Sequence, residues 1–387
     1  MERITDFCTG CRTCEQLCPK KAISFVPDDE GFIVPQINQN ICVDCGLCRK
    51  RCPQNLFIKK NTPKHVVAAR YKDNKTLYRC ASGGAYAAIA TTILDKGGVV
   101  FGVVYDKEWN AVFSMAESEE QLIPILSSKY VQADTRDSYT EVKKQLLTGR
   151  LVLYCGTGCQ IGGLKSFLGK DYENLFAIDL ICHGVTSPLL FRKYIDWLSK
   201  KHGYPISEFD FRDKRGGWGL GYKYKYKYND KYIYRSSNLD PYYYHFLRGN
   251  AYRECCYKCN YCTKERIGDI TIGDFWGIEK EHPSFFSTKG VSVVLANTSK
   301  GMSLINNAKD AFLLCESSFE RAAIHNYNLL QPTKRNKEIR DRFYYEINQR
   351  RFEDLDFIKS FKPTLGARLK AHIPCRIKKV LRQILHK

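Results

Sequence analysis

From residue 65 onward the hydrophobic positions switch between two periods. His65 to Tyr71 is an apolar, strand-like run. Ser82-Gly83-Gly84 then opens Ala85 to Lys96, a run rich in Ala, Ile and Leu that predicts a helix and stops at Gly97-Gly98. Val99 to Val104 reads as a buried strand running into Tyr105-Asp106. Tyr139 to Leu147 is amphipathic at helical spacing and is followed by Gly149. Leu151 to Tyr154 predicts the next strand, leading into Cys155-Gly-Thr-Gly-Cys159-Gln160, and Leu175 to Ile181 another, ending at Cys182. Ser187-Pro188 supplies an N-cap and a first-turn proline for a helix through Ser199. Strands alternating with helices predict a largely parallel sheet, with reactive groups at the carboxyl ends of its strands. Those ends are Tyr105-Asp106, Cys155 to Gln160 and Cys182-His183-Gly184.

Residues 204–300 carry more β-pattern. Tyr222 to Tyr228 reads YKYKYKY, and a strand there puts Lys223, Lys225 and Lys227 on one face and the tyrosines on the other. The plain reading is a lysine-faced exposed strand with tyrosines on the core; the sharper one is a basic docking stripe. In the last segment Leu369, Ile373, Ile377, Val380, Leu381, Ile384 and Leu385 recur at helical spacing. From Leu365 to Lys387 there is no acidic residue and there are seven Lys or Arg. Peripheral membrane contact is open to such a tail, as is packing on its own domain.

Cysteine changes the picture most. Eight of the eighteen cysteines lie in the first 52 residues, as two runs. They are Cys8-x2-Cys11-x2-Cys14-x3-Cys18-Pro19 and Cys42-x2-Cys45-x2-Cys48-x3-Cys52-Pro53. This is the bacterial ferredoxin spacing for two [4Fe-4S] clusters, in which the fourth cysteine of each run ligates the other cluster. Cluster 1 is thus expected on Cys8, Cys11, Cys14 and Cys52, and cluster 2 on Cys42, Cys45, Cys48 and Cys18. Gly10 and Gly46 let backbone N–H groups approach the sulfurs. A zinc knuckle has no use for the third cysteine or the repeated C-x3-C-P ending. A disulfide framework needs secretion, and MERITDFC opens without an apolar signal segment.

At 387 residues there is room for this module and a full-sized second domain. The longest apolar run is far too short to cross a bilayer, so a cytoplasmic protein is expected. The formal net charge is +20. Three clusters with twelve thiolates would leave about +14. Such a carrier attracts acidic partners, ferredoxins and flavodoxins among them. Nucleic acid also suits the charge, but the sequence offers no fold known to bind it.

A second group, Cys159, Cys182, Cys255, Cys256, Cys259 and Cys262, can meet only in the fold. Cys255-x3-Cys259-x-Tyr261-Cys262 matches the radical-SAM cysteine signature, but it lies two-thirds along the chain instead of after a first strand, so a chance match is the simpler reading. A structural zinc on Cys256, Cys259 and Cys262 is the other alternative.

Eight segments carry a family resemblance. They are SGGAYAAIATTILDKG (82–97), SKYVQ (128–132), VLYCGTGCQIGGL (152–164), DLICHGVTSP (179–188), FRDKRGGWG (211–219), CYKC (256–259), RIGDITIGDFWGI (266–278) and KGVSVVLAN (289–297). In this order they resemble the beta subunit of coenzyme F-420 hydrogenase and dehydrogenase over about residues 66–330. The resemblance implies a third [4Fe-4S] cluster on Cys159, Cys182, Cys256 and Cys259, with Cys155, Cys255 and Cys262 as extra cysteines and Cys262 the rival ligand. Gly158 stands where the family often has proline. It also implies a flavin, FAD foremost, with Ser82, Gly83, Gly84, Lys129, Gly156, Thr157 and Gln160 as its residues. A glycine pair at a helix start is suited to phosphate, although such a pair is more often only a turn. Asp269, Asp274 and Trp276 are further candidates with a β-turn and buried Trp as the structural reading, His183 could tune the cluster or cap a strand, and Arg212 and Lys214 could neutralise an anionic substrate or flavin phosphates. Cys80, Cys315 and Cys375 read as ordinary thiols.

The expected fold is therefore α/β (α+β overall): a small ferredoxin-like dicluster domain followed by a larger α/β domain with a mixed sheet. The expected divisions are residues 1–60, 61–330 (in parts 66–165 and 166–330) and a basic helical tail, 331–387. The expected function is an iron–sulfur flavoprotein oxidoreductase that passes electrons between clusters and flavin and reduces or oxidises a small organic substrate or hydride carrier. Its partner would be an acidic redox protein or another oxidoreductase subunit. The rival is a cluster-only electron relay without flavin; a nucleic-acid-binding iron–sulfur protein is a third reading.

Overall fold

A computed structural model describes residues 4–374 together with 377, 378 and 380. Its centre is a nine-stranded sheet. The strands are β1 (His65–Tyr71), β2 (Val99–Tyr105), β3 (Ala111–Ala116), β4 (Ala133–Asp134), β5 (Val152–Thr157), β6 (Leu175–Leu180), β7 (Ile270–Asp274), β8 (Ser292–Ala296) and β9 (Phe312–Ser317). Their spatial order is β9-β1-β8-β7-β6-β5-β2-β3-β4.

The parallel expectation holds for the middle of this sheet, where β7, β6, β5 and β2 run parallel. Toward the edges the strands turn antiparallel, which makes the sheet mixed, as the expected fold class has it. β1 lies antiparallel between β8 and β9, β8 is antiparallel to β7, and β3 is antiparallel to β2. The reason is long-range: β1 takes both its partners from the last third of the domain. One sheet thus runs through both expected parts, 66–165 and 166–330.

The helices Ala85–Leu94, Ser138–Leu147, Gly158–Leu168 and Pro188–His202 form where periodicity predicts them, within a few residues. Ser187 accepts from Leu190 N–H as the expected cap of the last. The central strands are buried on both faces, which is why they read as continuous apolar runs.

A second core is mainly aromatic. It joins the helix Pro188–His202 to a three-stranded ribbon, Ile206–Asp210, Lys223–Tyr228 and Lys231–Ser236. Tyr224 and Tyr226 are buried in this core. The alternate lysines turn to acids of the same ribbon: Lys227 Nζ is 3.1 Å from Asp230 and 3.7 Å from Glu208, and Lys225 Nζ is 3.9 Å from Asp210. Asp240, buried at its centre, accepts from Tyr194 Oη at 2.8 Å and Tyr224 Oη at 2.9 Å.

The expected tail from 331 begins later in the fold. Helix Lys337–Tyr345 and its continuation bury Phe343, Tyr344, Ile347, Phe352 and Leu355 in the aromatic core. Aromatic residues spaced for burial override a basic composition there. A separate helix, Leu365–His372, exposes Leu365 and Leu369 and gives way to extended backbone at Ile373, before Pro374. The apolar stripe is therefore interrupted, because proline cannot continue a helix. Cys375, Leu381, Ile384 and Leu385 lie outside the described residues. Among the described residues no helix is long and apolar enough to cross a membrane.

The cysteine-rich module consists of a two-stranded sheet, Ile23–Pro27 with Ile33–Ile37, and short helices Thr13–Leu17 and Leu47–Lys50. It packs on the large domain at the helix Gly158–Leu168. A Cβ at Gly163 would sit 3.0 Å from Cys11 Cβ and 2.6 Å from Tyr139 Oη, so the first cysteine loop meets this helix only because residue 163 is glycine.

Candidate functional site

Within the module Cys8, Cys11, Cys14 and Cys52 lie near one another. Burial pushes the Cys14 thiol far up, and Cys11, Cys8 and Cys52 add to the shift as near neighbours. Burial likewise pushes Cys52 up to about 11, with Cys11 and Cys8 again among the causes. These are the four residues expected on cluster 1. Cys18 and Cys48 pack together against Ile4 and Ile23, and Cys45 lies close enough to Cys48 to raise its thiol further. Gly10 N–H and Ala22 N–H point at the sulfurs of Cys8 and Cys18, at 3.4 and 3.3 Å. Raised thiols mean that iron must displace protons to bind, so loading is proton-coupled.

The two halves of the module face differently. Thr13 Oγ1 donates to Gly163 O at 3.0 Å, Thr135 Oγ1 to Cys11 O at 3.0 Å, and Arg12 Nη2 to Asp134 at 2.8 Å. The Cys8–Cys14 loop is thereby held on the large domain. Cys45, at the other end, is exposed.

The sheet builds the second cysteine site. β5 and β6 are parallel, with Thr157 opposite Leu180. Cys159 and Cys182 each follow two residues beyond that pair, so both emerge at one sheet edge. The segment around helix Glu254–Lys258 closes over them. One cavity is lined by Cys159, Cys182, Cys255, Cys256, Cys259 and Cys262. Burial and the neighbouring Cys259 push Cys182 up to about 12. Cys155, by contrast, is part of the sheet core. Every described cysteine is free.

Among the described residues no three His, Cys, Asp or Glu side chains converge on a point that a single ion could fill. A cubane does not require such convergence, because its thiolates stand apart at the corners of an inorganic core. The donor set fits a third cluster: six thiols line the cavity, with the guanidinium groups of Arg253 and Arg266 in its wall. Arg266 is itself fixed by a buried ion pair with Asp179 and by Nη1 donating to Tyr261 O at 2.7 Å. Tyr261 also explains Gly158, since a Cβ there would lie 2.6 Å from Tyr261 Cβ.

The seven residues expected to hold flavin do not form one cradle. Thr157 and Gln160 make a capping box on the helix Gly158–Leu168, and Thr157 Oγ1 lies 3.1 Å from Cys159 Sγ. Of these only Thr157 lines the cysteine cavity; Gly156 is the penultimate residue of β5, and Gln160 is turned to Thr157 N–H and Ala133 O. Lys129 points its ammonium at the carbonyls of Pro124, Ile125, Leu126 and Ser127, and burial lowers it to about 7. Gly83 is pressed into the sheet, where a Cβ would be 2.3 Å from Ser292 N and 2.4 Å from Ala69 O. Its glycine serves close packing. Ser82 donates to Val291 O at 2.9 Å, and its own carbonyl takes the Lys214 ammonium.

Beside Ser82 lies a second pocket, lined by Ala81, Arg212, Lys214, Trp218, Tyr222 and Trp276 among others. Arg212 makes a two-pronged pair with Asp274 at 2.7 and 2.8 Å, and Trp218 Nε1 donates to the same carboxylate at 2.6 Å. Burial disfavours the Asp274 charge, but Arg212 outweighs it and keeps the carboxyl below its ordinary range. Trp218 and Trp276 stack at 5.1 Å, and the Arg212 guanidinium sits 5.0 Å from the Tyr222 ring centre. Trp218, within FRDKRGGWG, and the pocket role of Tyr222, read only as the first residue of YKYKYKY, are what sequence reasoning missed. Asp269 is structural, accepting from Ala177 N–H and Thr298 Oγ1. His183 lines the cysteine cavity, and burial lowers its pKa while Asp274 and Arg212 act on it from the pocket side. It stands between the two sites.

This arrangement defines an iron–sulfur redox protein with a dicluster module on an α/β domain. Family models agree. A 4Fe-4S dicluster domain matches residues 7–56. The N-terminal and C-terminal parts of the coenzyme F420 hydrogenase/dehydrogenase beta subunit match residues 66–137 and 149–321, together more than half of the chain. The chain belongs to that beta-subunit family and carries the dicluster domain at its N-terminal side. It is 24% identical over 180 residues to the coenzyme F420-dependent sulfite reductase of Methanocaldococcus jannaschii, a match covering 45% of this chain and 27% of that one. It thus spans about a quarter of that relative's length. It is 41% identical over 63 residues to ferredoxin-2 of Chlorobaculum tepidum, covering 15% of this chain and 94% of that one. A chain of the F420-reducing [NiFe] hydrogenase complex from Methanosarcina barkeri aligns with a TM-score of 0.46 at 16% identity, over 76% of this chain and 99% of that one.

Proposed function

We propose that this protein is an iron–sulfur flavoprotein oxidoreductase. In this reading electrons pass between an acidic redox protein or another oxidoreductase subunit, the two clusters of the module, a third cluster on Cys159, Cys182, Cys256 and Cys259, and a flavin in the Arg212–Trp276 pocket. A small organic substrate reacts there. The observation that carries the proposal is His183: the residue after Cys182 spans from the cysteine cavity toward Arg212 and Asp274. The flavin, when bound, exchanges an electron pair with the substrate and single electrons with a cluster.

The side chains present suit such a ligand. Trp276 and Tyr222 offer ring faces, and Arg212, neutralised by Asp274, is rigidly aimed. Lys214, whose ammonium donates to Leu77 O and Ser82 O, is the titratable cation, lowered by burial to about 8 from an ordinary 10.5. Anaerobic purification followed by a visible spectrum and extraction of bound flavin tests the reading. About one flavin per chain is expected, and Trp276→Ala should lose most of it while keeping the iron. A flavin-free wild-type protein with full iron would instead establish the cluster-only relay.

Lys214 sets a pH signature. It is protonated below about 8 in the free pocket, and an anionic ligand holds it protonated to higher pH. Affinity for that ligand should therefore be flat below about pH 8, fall as pH rises through the free-pocket value, and level off once the bound form also loses its proton. Titrating flavin rebinding against pH checks this; Lys214→Met should abolish the slope.

A further inference from the structure

Arg253 enters neither ligand set, yet it lines the cysteine cavity where module residues Thr9 and Gln54 also reach it. Its Nε donates to Cys8 O at 2.8 Å and its Nη1 to Ile33 O at 3.0 Å, both in the module. Its backbone N–H donates to Val185 O at 2.8 Å, in the large domain. The same side chain lines the cavity of Cys159, Cys182, Cys255, Cys256, Cys259 and Cys262. It is 5% exposed. The guanidinium lies 5.3 Å from the Phe32 ring centre, and a Cβ on Gly10 would lie 3.3 Å from Nη1, so the first cysteine loop packs closely on the group. A buried, permanently charged guanidinium is costly unless anions stand near it. The carboxylate in range is Asp28, and the other groups that hold Arg253 charged are Cys8, Cys255 and Cys256.

We infer that Arg253 is a positioning residue that joins cluster 1 to the third cluster. It fixes cluster 1 as the inner cluster of the module, and it lends the same positive charge to both. This rests on the third-cluster reading above. Each transfer moves one electron: cluster 1 is oxidised as the third cluster is reduced, or the reverse, with no proton or bond change. A cation beside a cluster favours the reduced, more negative state, so both potentials are raised by Arg253. Cluster 2, on the exposed side of the module, lies outside its reach.

Redox titration of the full-length holoprotein followed by EPR tests this. Arg253→Gln should lower the midpoints of cluster 1 and the third cluster by roughly 59 mV, a tenfold change in a one-electron equilibrium. The cluster 2 midpoint should stay in place and iron should stay at the wild-type count. Arg253→Lys, which keeps the charge, should restore most of both midpoints. Equal shifts in all three clusters, or none, would overturn the inference. Where Arg253→Gln fails to load iron, the unaltered protein decides. Fully reduced, it should show magnetic coupling of the third cluster to cluster 1 and none to cluster 2; an uncoupled third cluster sinks the inference. A wild-type count of about eight irons would instead remove the third cluster itself.

Discussion

Changing Cys159 to Ala should drop iron from about twelve to about eight atoms per chain and leave the module's two clusters intact. The size of the effect follows from the architecture. Cys159 is the cysteine that the helix Gly158–Leu168 contributes to the cavity; Cys182 follows β6, and the other four come from the segment around Glu254–Lys258. Cys255 and Cys262 share a segment with Cys256 and Cys259 and can stand in for them, whereas Cys159 is the one cavity thiol on the helix Gly158–Leu168. Cys255→Ala and Cys262→Ala should accordingly retain about twelve irons. Iron analysis with EPR of the dithionite-reduced protein gives the answer. Unchanged iron in Cys159→Ala would remove the third cluster from the scheme, and iron loss in Cys262→Ala with none in Cys256→Ala would reassign its ligand.

The second large effect is on stability. Asp179 and Arg266 form an ion pair with side chains only 1% and 2% exposed. Asp179 also accepts from Thr271 Oγ1 at 2.7 Å and from Gly268 N–H at 3.1 Å. Arg266 Nε donates to Thr271 Oγ1 at 3.2 Å. Arg266→Met leaves a buried carboxylate without its cation, a change that costs about 3–5 kcal/mol. The urea midpoint of the anaerobic holoprotein should fall accordingly with little change in slope. A loss under about 1 kcal/mol would mean that water reaches the pair, as at an exposed bridge. Because Arg266 also holds Tyr261 O, the variant should load the third cluster poorly, whereas a purely local role would leave iron unchanged.

The fold was legible where its cause is local. The helices Ala85–Leu94 and Pro188–His202 follow from period and caps, and the central strands from continuous apolar runs. β1 was legible as a strand but not as an antiparallel one, because its neighbours β8 and β9 lie more than 200 residues away along the chain. Residues 337–355 read as tail because their charges are local, while the core that accepts Phe343 and Phe352 is assembled from distant aromatics. The residues expected to hold flavin were the least legible. Gly83, Thr157 and Gln160 have signatures that suit phosphate and suit packing or capping equally, and the sheet uses them for the latter.

By itself the sequence determined the two clusters of the module. A chelating loop of three cysteines, with a fourth just beyond, is complete within a few residues, so spacing alone dictates it. It also bounded the remaining cysteines without saying which would meet. Only the tertiary structure decided that six of them share one cavity, because the register of β5 against β6 brings Cys159 and Cys182 to one edge and a later segment closes over them. It alone placed Arg253 between that cavity and Cys8, since a contact across 245 positions of chain is set by packing and leaves no periodic trace.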